Sequence, residues 1–153
     1  MSLITDKVFY NALRSNAELV AAVDGRIEST SIPVPDEEFL DTPVPYIIIT
    51  FDGLQNEGQT KDSYEGDTDR VQVSIEVAAD TRDDLGSLMQ MVRDTVLSYF
   101  ENTSEEADDF SLVPLDYTLT AGAVGYDSMK PCYYQKLTYQ CITLADLGSE
   151  NEI

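Results

Sequence analysis

The residues that most suggest chemistry lie in Asp62-Ser63-Tyr64-Glu65-Gly66-Asp67-Thr68-Asp69, where carboxylates crowd a short polar stretch. Such a run could hold a divalent cation. A calcium loop places oxygen ligands at its first, third and fifth positions, glycine at the sixth and glutamate at the twelfth. Counted from Asp62, Tyr64 takes the third place, Gly66 the fifth and Val73 the twelfth, so the pattern fails and a solvated acidic loop is expected. Paired carboxylates can do general acid–base work, but among 29 acidic residues no pair stands out. Ser128 and Lys130 are neighbours in sequence only, and a Ser-Lys pair is defined in space. Gly122-Ala123-Val124-Gly125 lacks both the glycine spacing and the lysine of a phosphate loop. The chain has no histidine, which removes Ser-His-Asp and Cys-His nucleophilic arrangements and every histidine-containing zinc site. Cys132 and Cys141 sit in one expected strand. Nine residues of extended chain span roughly 30 Å, far beyond disulfide reach, so two free thiols are expected. No catalytic residue, cofactor or metal is expected, and the chain is not read as an enzyme.

Composition narrows the class. The 153 residues suit a single domain with a real core. Against 29 acids stand only 9 basic residues, for a net charge of −20. That balance repels nucleic acid and anionic lipid over most of the exterior. It serves solubility, or an acidic surface with a task, such as a channel lining that must not hold DNA. Free thiols fit a reducing cytoplasm. Neither a leader with a basic start and apolar core nor a run of membrane-spanning length is visible.

The elements follow from periodicity. Val71, Val73, Ile75, Val77 and Ala79 alternate with Arg70, Gln72, Ser74, Glu76 and Ala78, which predicts a strand with one apolar face. The period then changes: Leu85, Leu88, Met89, Val92, Val96 and Tyr99 form a helical stripe. This helix is capped at Thr81-Arg82-Asp83-Asp84 and expected to end near Phe100, with Glu101 to Asp109 as a solvated linker. Near the start, Ile4, Val8, Phe9 and Leu13 share a helical face to about Ser15. A second short helix follows from the capping pattern Ser15-Asn16-Ala17-Glu18, with Gly25 as its stop. Arg26–Thr30 suggests a short strand, Ile32–Pro45 a proline-rich loop, and Tyr46–Phe51 a central strand. Asp52–Thr68 is either a long loop or a protruding hairpin. Weak alternation returns over Leu112–Thr120, and Cys132–Leu144 is a long last strand with Leu137, Tyr139 and Cys141 facing in. Tyr126, Tyr133, Tyr134 and Tyr139 crowd one region, as ordinary strand composition or as an aromatic contact patch. The expected fold is α+β: one mostly antiparallel sheet of four to five strands, with an N-terminal helix pair and one long helix on one face. Residues 1–145 form the single domain and 146–153 a polar tail.

Three segments in this order resemble the tail-completion, or tail-terminator, proteins of long-tailed bacteriophages and prophages. They are the N-terminal helix leading through Leu19-Val20-Ala21-Ala22-Val23-Asp24-Gly25-Arg26-Ile27, the strand Pro45-Tyr46-Ile47-Ile48-Ile49, and Arg70 to Thr81 with its helix. With the last strand, the resemblance spans about Ile4 to Leu144. It implies a subunit that closes into a ring with copies of itself, typically a hexamer, on the head-proximal end of the tail tube. Such a ring ends tail polymerisation and joins the tail to the head. The implied partners are the tail tube protein and a head-completion protein, with DNA only in transit through the lumen and no membrane. The implied location is the bacterial host cytoplasm during assembly and then the virion tail.

Under that reading the polar alternates and the loop before them become candidate subunit or partner contacts: Asp62, Tyr64, Glu65, Asp67, Arg70, Gln72 and Glu76. Three alternatives stay open at this point. One is a neighbouring head-completion role. A second is an acidic DNA mimic, which needs carboxylates ranked on one surface. The third is a carboxylate-dependent or metal-dependent enzyme, which needs acids converging in a deep pocket.

Overall fold

The computed structural model describes residues 2–29, 43–56, 68–107 and 114–144. Helix α1 (Thr5–Arg14) follows a single 3-10 turn, Ser2–Ile4. Val8, Phe9, Ala12 and Leu13 are buried along one face of α1, as their spacing predicts. Ile4 is not part of that face: it lies in the preceding turn and is 50% exposed.

Helix α2 (Ala17–Ala22) is capped by Asn16 rather than Ser15. The Asn16 side-chain oxygen accepts from the amides of Glu18 and Leu19, while Ser15 Oγ turns back to donate to the Ala12 carbonyl. The helix closes in a Schellman arrangement: Gly25 N–H reaches the Val20 carbonyl at 2.8 Å and Asp24 N–H reaches Ala21 at 3.1 Å. Asp24 takes the left-handed position (φ 53°), one residue before the glycine expected there, and Gly25 follows at φ 76°.

Among the described residues the sheet has six strands, more than the sequence suggests: β1 (Ile27–Ser29), β2 (Tyr46–Asn56), β3 (Thr68–Ala79), β4 (Asp116–Ala121), β5 (Gly125–Asp127) and β6 (Cys132–Leu144). Their spatial order is β1-β2-β3-β6-β4, with β5 also paired to β6. The pairing is antiparallel except for β1, which runs parallel to β2. The centre belongs to β3; β2 is interior but flanks it. Within the Asp52–Thr68 region, residues 52–56 continue β2 and pair with β3 out to Asn56↔Asp69, while residues 57–67 lie outside the described residues.

Helix α3 (Arg82–Ala107) begins where Thr81 Oγ1 accepts the Asp84 amide at 3.1 Å. It runs past Phe100, so the acidic stretch expected to be a linker continues the helix to Ala107. Glutamate and alanine are good helix formers, and here that propensity wins over the unfavourable placing of acids near a helix C-terminus.

One core lies between the inner sheet face and the helices. Ile47, Ile49, Val71, Val73, Ile75, Val77, Leu137, Tyr139 and Cys141 meet Val8, Phe9, Leu13, Leu85, Val92 and Val96 there. Each such aliphatic side chain contributes about 1.5–3 kcal/mol by leaving water. Four aromatic rings close a circuit through this layer. Phe9 meets Phe100 edge-on at 5.4 Å and Tyr139 at 4.8 Å. Tyr117 completes it, 5.5 Å from Phe100 and 5.7 Å from Tyr139. The circuit links α1, α3, β4 and β6. Arg14, from the end of α1, donates to the carbonyls of Gly25 (3.1 Å) and Ile27 (2.9 Å), which ties the α2–β1 turn to the body.

Candidate assembly surface

The face of the sheet away from the helices carries the polar alternates. Strand register sets Arg70, Gln72, Ser74, Glu76 and Ala78 of β3 beside Tyr46, Ile48 and Thr50 of β2, and beside Tyr134, Lys136, Thr138 and Gln140 of β6. Of the candidate contacts, Arg70 is exposed and Gln72 and Glu76 are half-buried on this face. Asp62, Tyr64, Glu65 and Asp67 lie outside the described residues.

Ser74 departs from the open polar face that alternation predicts: it is 4% exposed. The cause is a β-bulge in β2. The register shifts between Phe51 and Gly53, leaving Asp52 as the extra residue. Asp52 Oδ2 then accepts hydrogen bonds from Ser74 Oγ and, at 3.3 Å, from Gln72 Nε2. Gly53 sits at φ 143°, a conformation that favours glycine. Gln140 Nε2 extends the row by donating to Gln72 Oε1 at 3.3 Å. A shallow polar hollow of about 250 Å³ forms here, lined by Asp52, Gln55, Arg70, Gln72 and Gln140.

At the opposite end of the same face the character is aromatic. Tyr46, Glu76, Tyr126, Asp127, Cys132 and Tyr134 line an open concavity of about 430 Å³. Tyr46 Oη donates to Glu76 Oε2 at 3.3 Å. The Lys130 ammonium stands 5.2 Å from the Tyr46 ring centroid. Asp127 Oδ1 accepts the amides of Met129 (2.9 Å) and Lys130 (3.3 Å), which fixes the turn between β5 and β6. Tyr134 pairs with Gly125, and its ring lies where a Cβ at Gly125 would be.

The four crowded tyrosines therefore divide. Tyr139 belongs to the core, Tyr126 and Tyr133 meet at a tilt of 59° with ring centroids 5.0 Å apart, and Tyr134 faces the concavity. No spacing rule separates these roles, because the β5–β6 turn decides which rings meet.

Burial keeps the Tyr46 phenol and the two cysteine thiols protonated. Burial, then the Glu76 charge, push the Tyr46 phenol upward, so it remains a neutral donor. Burial and the Asp127 carboxylate raise the Cys132 thiol, with Lys130 opposing. Burial alone pushes Cys141 up to about 12. Both cysteines are free and buried, and both stay protonated thiols near neutrality, which makes them poor nucleophiles. Among the described residues, no three Cys, Asp or Glu converge in a geometry that could hold a metal ion.

A third hollow, about 490 Å³, lies on the helical side between the α1–α2 junction and α3. There Asn16 Nδ2 donates to Thr95 Oγ1 at 2.8 Å and Thr95 Oγ1 donates to the Met91 carbonyl at 2.6 Å, so its polar groups hold the helices together. No described helix is long and apolar enough to cross a membrane.

Among the described residues, acids and bases are interspersed on the outer sheet face: Glu28, Asp52, Glu76, Asp116 and Asp127 share it with Arg70, Lys130 and Lys136. Most of the chain's net negative charge is carried elsewhere. Carboxylates are thus not ranked on this surface as a DNA mimic requires.

No protein-family model and no curated protein matches the chain. Among solved structures, it is similar to a chain of the virion of a native gene transfer agent particle. The TM-score is 0.54 and the identity 13%, and the match covers 92% of this chain and 94% of that one. At that identity the two chains share a fold.

Proposed function

We propose that this protein is a structural subunit of a phage-like virion, and that it acts as a ring capping the head-proximal end of a tail tube. The observation that carries the virion reading is the match with a virion chain over nearly the full length of both. A match of that extent supports a subunit of the same kind of particle rather than a domain borrowed for another use. The tail-terminator role rests further on the order of the N-terminal helix pair, β2, β3 and α3, which agrees with the family that the sequence resembles.

The physics of assembly suits this reading. Identical subunits that meet head to tail close into a ring when the rotation between them closes. The outer sheet face offers Arg70, Gln72 and Glu76 to a neighbour, and the segment of sequence between β2 and β3, which carries Asp62, Tyr64, Glu65 and Asp67, is proposed as a second contact region. Tail tube protein and head-completion protein would occupy the two ends of the ring. The acids away from this sheet face would line the lumen and repel DNA in transit at short range.

Removing the gene from a particle that uses it tests the role. Electron microscopy is expected to show tail tubes of irregular, excessive length and heads without tails. Tails of normal length with heads that lose their DNA would reassign the protein to head completion. Normal particles would refute both. Charge reversal of the lumen-facing acids is expected to impair DNA passage and leave ring assembly intact.

A further inference from the structure

The concavity at the Tyr46 end of the outer face holds two carboxylates whose charges the described residues leave unpaired. Neither Glu76 nor Asp127 forms an ion pair among those residues. Glu76 accepts a single side-chain hydrogen bond, from Tyr46. Asp127 spends Oδ1 on two amides of its own turn, and its Oδ2 accepts no hydrogen bond among the described residues. Two phenol rings, Tyr46 and Tyr134, line the same space, with Tyr134 38% exposed, while the Tyr126 ring meets Tyr133 on the other face. On the same turn Met129 is 93% exposed. The Lys130 ammonium over Tyr46 shows that one of these ring faces already attracts a cation.

We propose that this concavity receives an arginine side chain presented by a neighbouring protein subunit. The chemistry selects that residue. Phenol faces attract a guanidinium, which stacks flat where an ammonium cannot. Glu76 and Asp127 present carboxylate oxygens to its fork of N–H donors. Anionic ligands, phosphates included, are repelled by the same two groups. Lys136 lies opposite Glu76 on β6 but is exposed and not paired with it, so it does not fill the place. Tyrosine, methionine and arginine are the residues enriched at the centres of protein interfaces, which fits a partner that is a protein. The proposal rests on the assembly reading only for the origin of the arginine.

The probe is N-acetyl-arginine methylamide, titrated into the full isotope-labelled chain by NMR, with the citrulline and lysine counterparts as controls. Saturable shifts are expected at the amides of Glu76, Asp127, Met129, Lys130, Cys132 and Tyr134. The arginine probe should bind roughly tenfold more tightly than citrulline, the loss set by one charge-assisted bidentate pair. The double variant Glu76→Gln, Asp127→Asn should weaken it by about as much, since asparagine can still hold the turn. Should that variant unfold, Glu76→Gln alone carries the test, because Glu76 has no part in the turn. Shifts that do not saturate, that spread over the whole acidic surface, that citrulline reproduces, or that survive the substitutions would overturn the site. Ring formation is scored separately by light scattering. A chain that binds arginine without forming rings keeps the site and loses the ring reading.

Discussion

Substitution of Phe9 tests whether the four-ring circuit organises the core. Phe9 is fully buried and touches both Phe100 on α3 and Tyr139 on β6. Phe9→Ala removes a whole ring from a place that three structural elements enclose, so the cavity cannot collapse cheaply. The expected cost is about 3–5 kcal/mol. Set against a total stability on the order of 5–15 kcal/mol, that is a large share. At roughly 2–4 °C per kcal/mol for a chain of this size, Tm should fall by about 6–20 °C. Phe9→Leu keeps most of the volume and should cost less than the alanine variant. A double-mutant cycle of Phe9→Leu with Phe100→Leu isolates the ring-to-ring part, expected at about 0.5–1.5 kcal/mol. Urea unfolding followed by far-ultraviolet circular dichroism measures all three. An alanine variant costing under about 1 kcal/mol would mean the core repacks freely around this position. A coupling energy of zero would mean that edge-on geometry adds nothing beyond buried area.

Three further outcomes are expected. Asn16→Ala removes both the α2 cap and the bond to Thr95 and should cost about 1–2 kcal/mol, measured by thermal unfolding; a cost near zero would show that α2 is held by packing alone. Stability should fall above about pH 9: burial raises the Cys141 thiol from 9.0 to about 12 and raises the Tyr46 and Tyr139 phenols above 10.0. The unfolded chain therefore releases these protons first, and the contribution present below pH 9 is lost as pH climbs toward 12; a flat urea midpoint from pH 8 to pH 11 contradicts it. With a net charge of −20, self-repulsion should relax with salt, so Tm should rise between low and moderate ionic strength; an unchanged Tm would place the acids too far apart to interact.

Local periodicity made some elements legible and could not reach others. β3, β6 and most of α3 follow from alternation and a helical stripe, because each buries one face and the pattern records which. β1 was expected as a short strand over Arg26–Thr30 and is found at Ile27–Ser29, but its parallel pairing with β2 is a contact no local pattern encodes. The end of α3 was hidden because acids that favour solvent also favour helix, and composition cannot separate the two. At the site, Arg70, Gln72 and Glu76 fall on the outer face as alternation predicts. The burial of Ser74 needed knowledge of a bulge twenty-two residues away. The concavity was legible only as a crowd of tyrosines, since it forms where a turn folds Tyr126 and Asp127 back toward Tyr46.

The bulge at Asp52 also decides how the β2–β3 pair can change length over time. Before it, odd-numbered residues of β2 take the inner face of the sheet; beyond it Leu54 and Asn56 do, opposite Val71 and Asp69, although both are exposed. Deleting Asp52 would therefore leave every later side chain on its present face and remove only the bend and the acceptor for Ser74. Deleting Thr50 instead would shift the paired body by one place and turn Ile47 and Ile49 outward unless the strand slid to compensate. Single-residue insertions and deletions are thus filtered by position. The outer end of the β2–β3 pairing can be re-aimed by an edit that the core beneath it does not register.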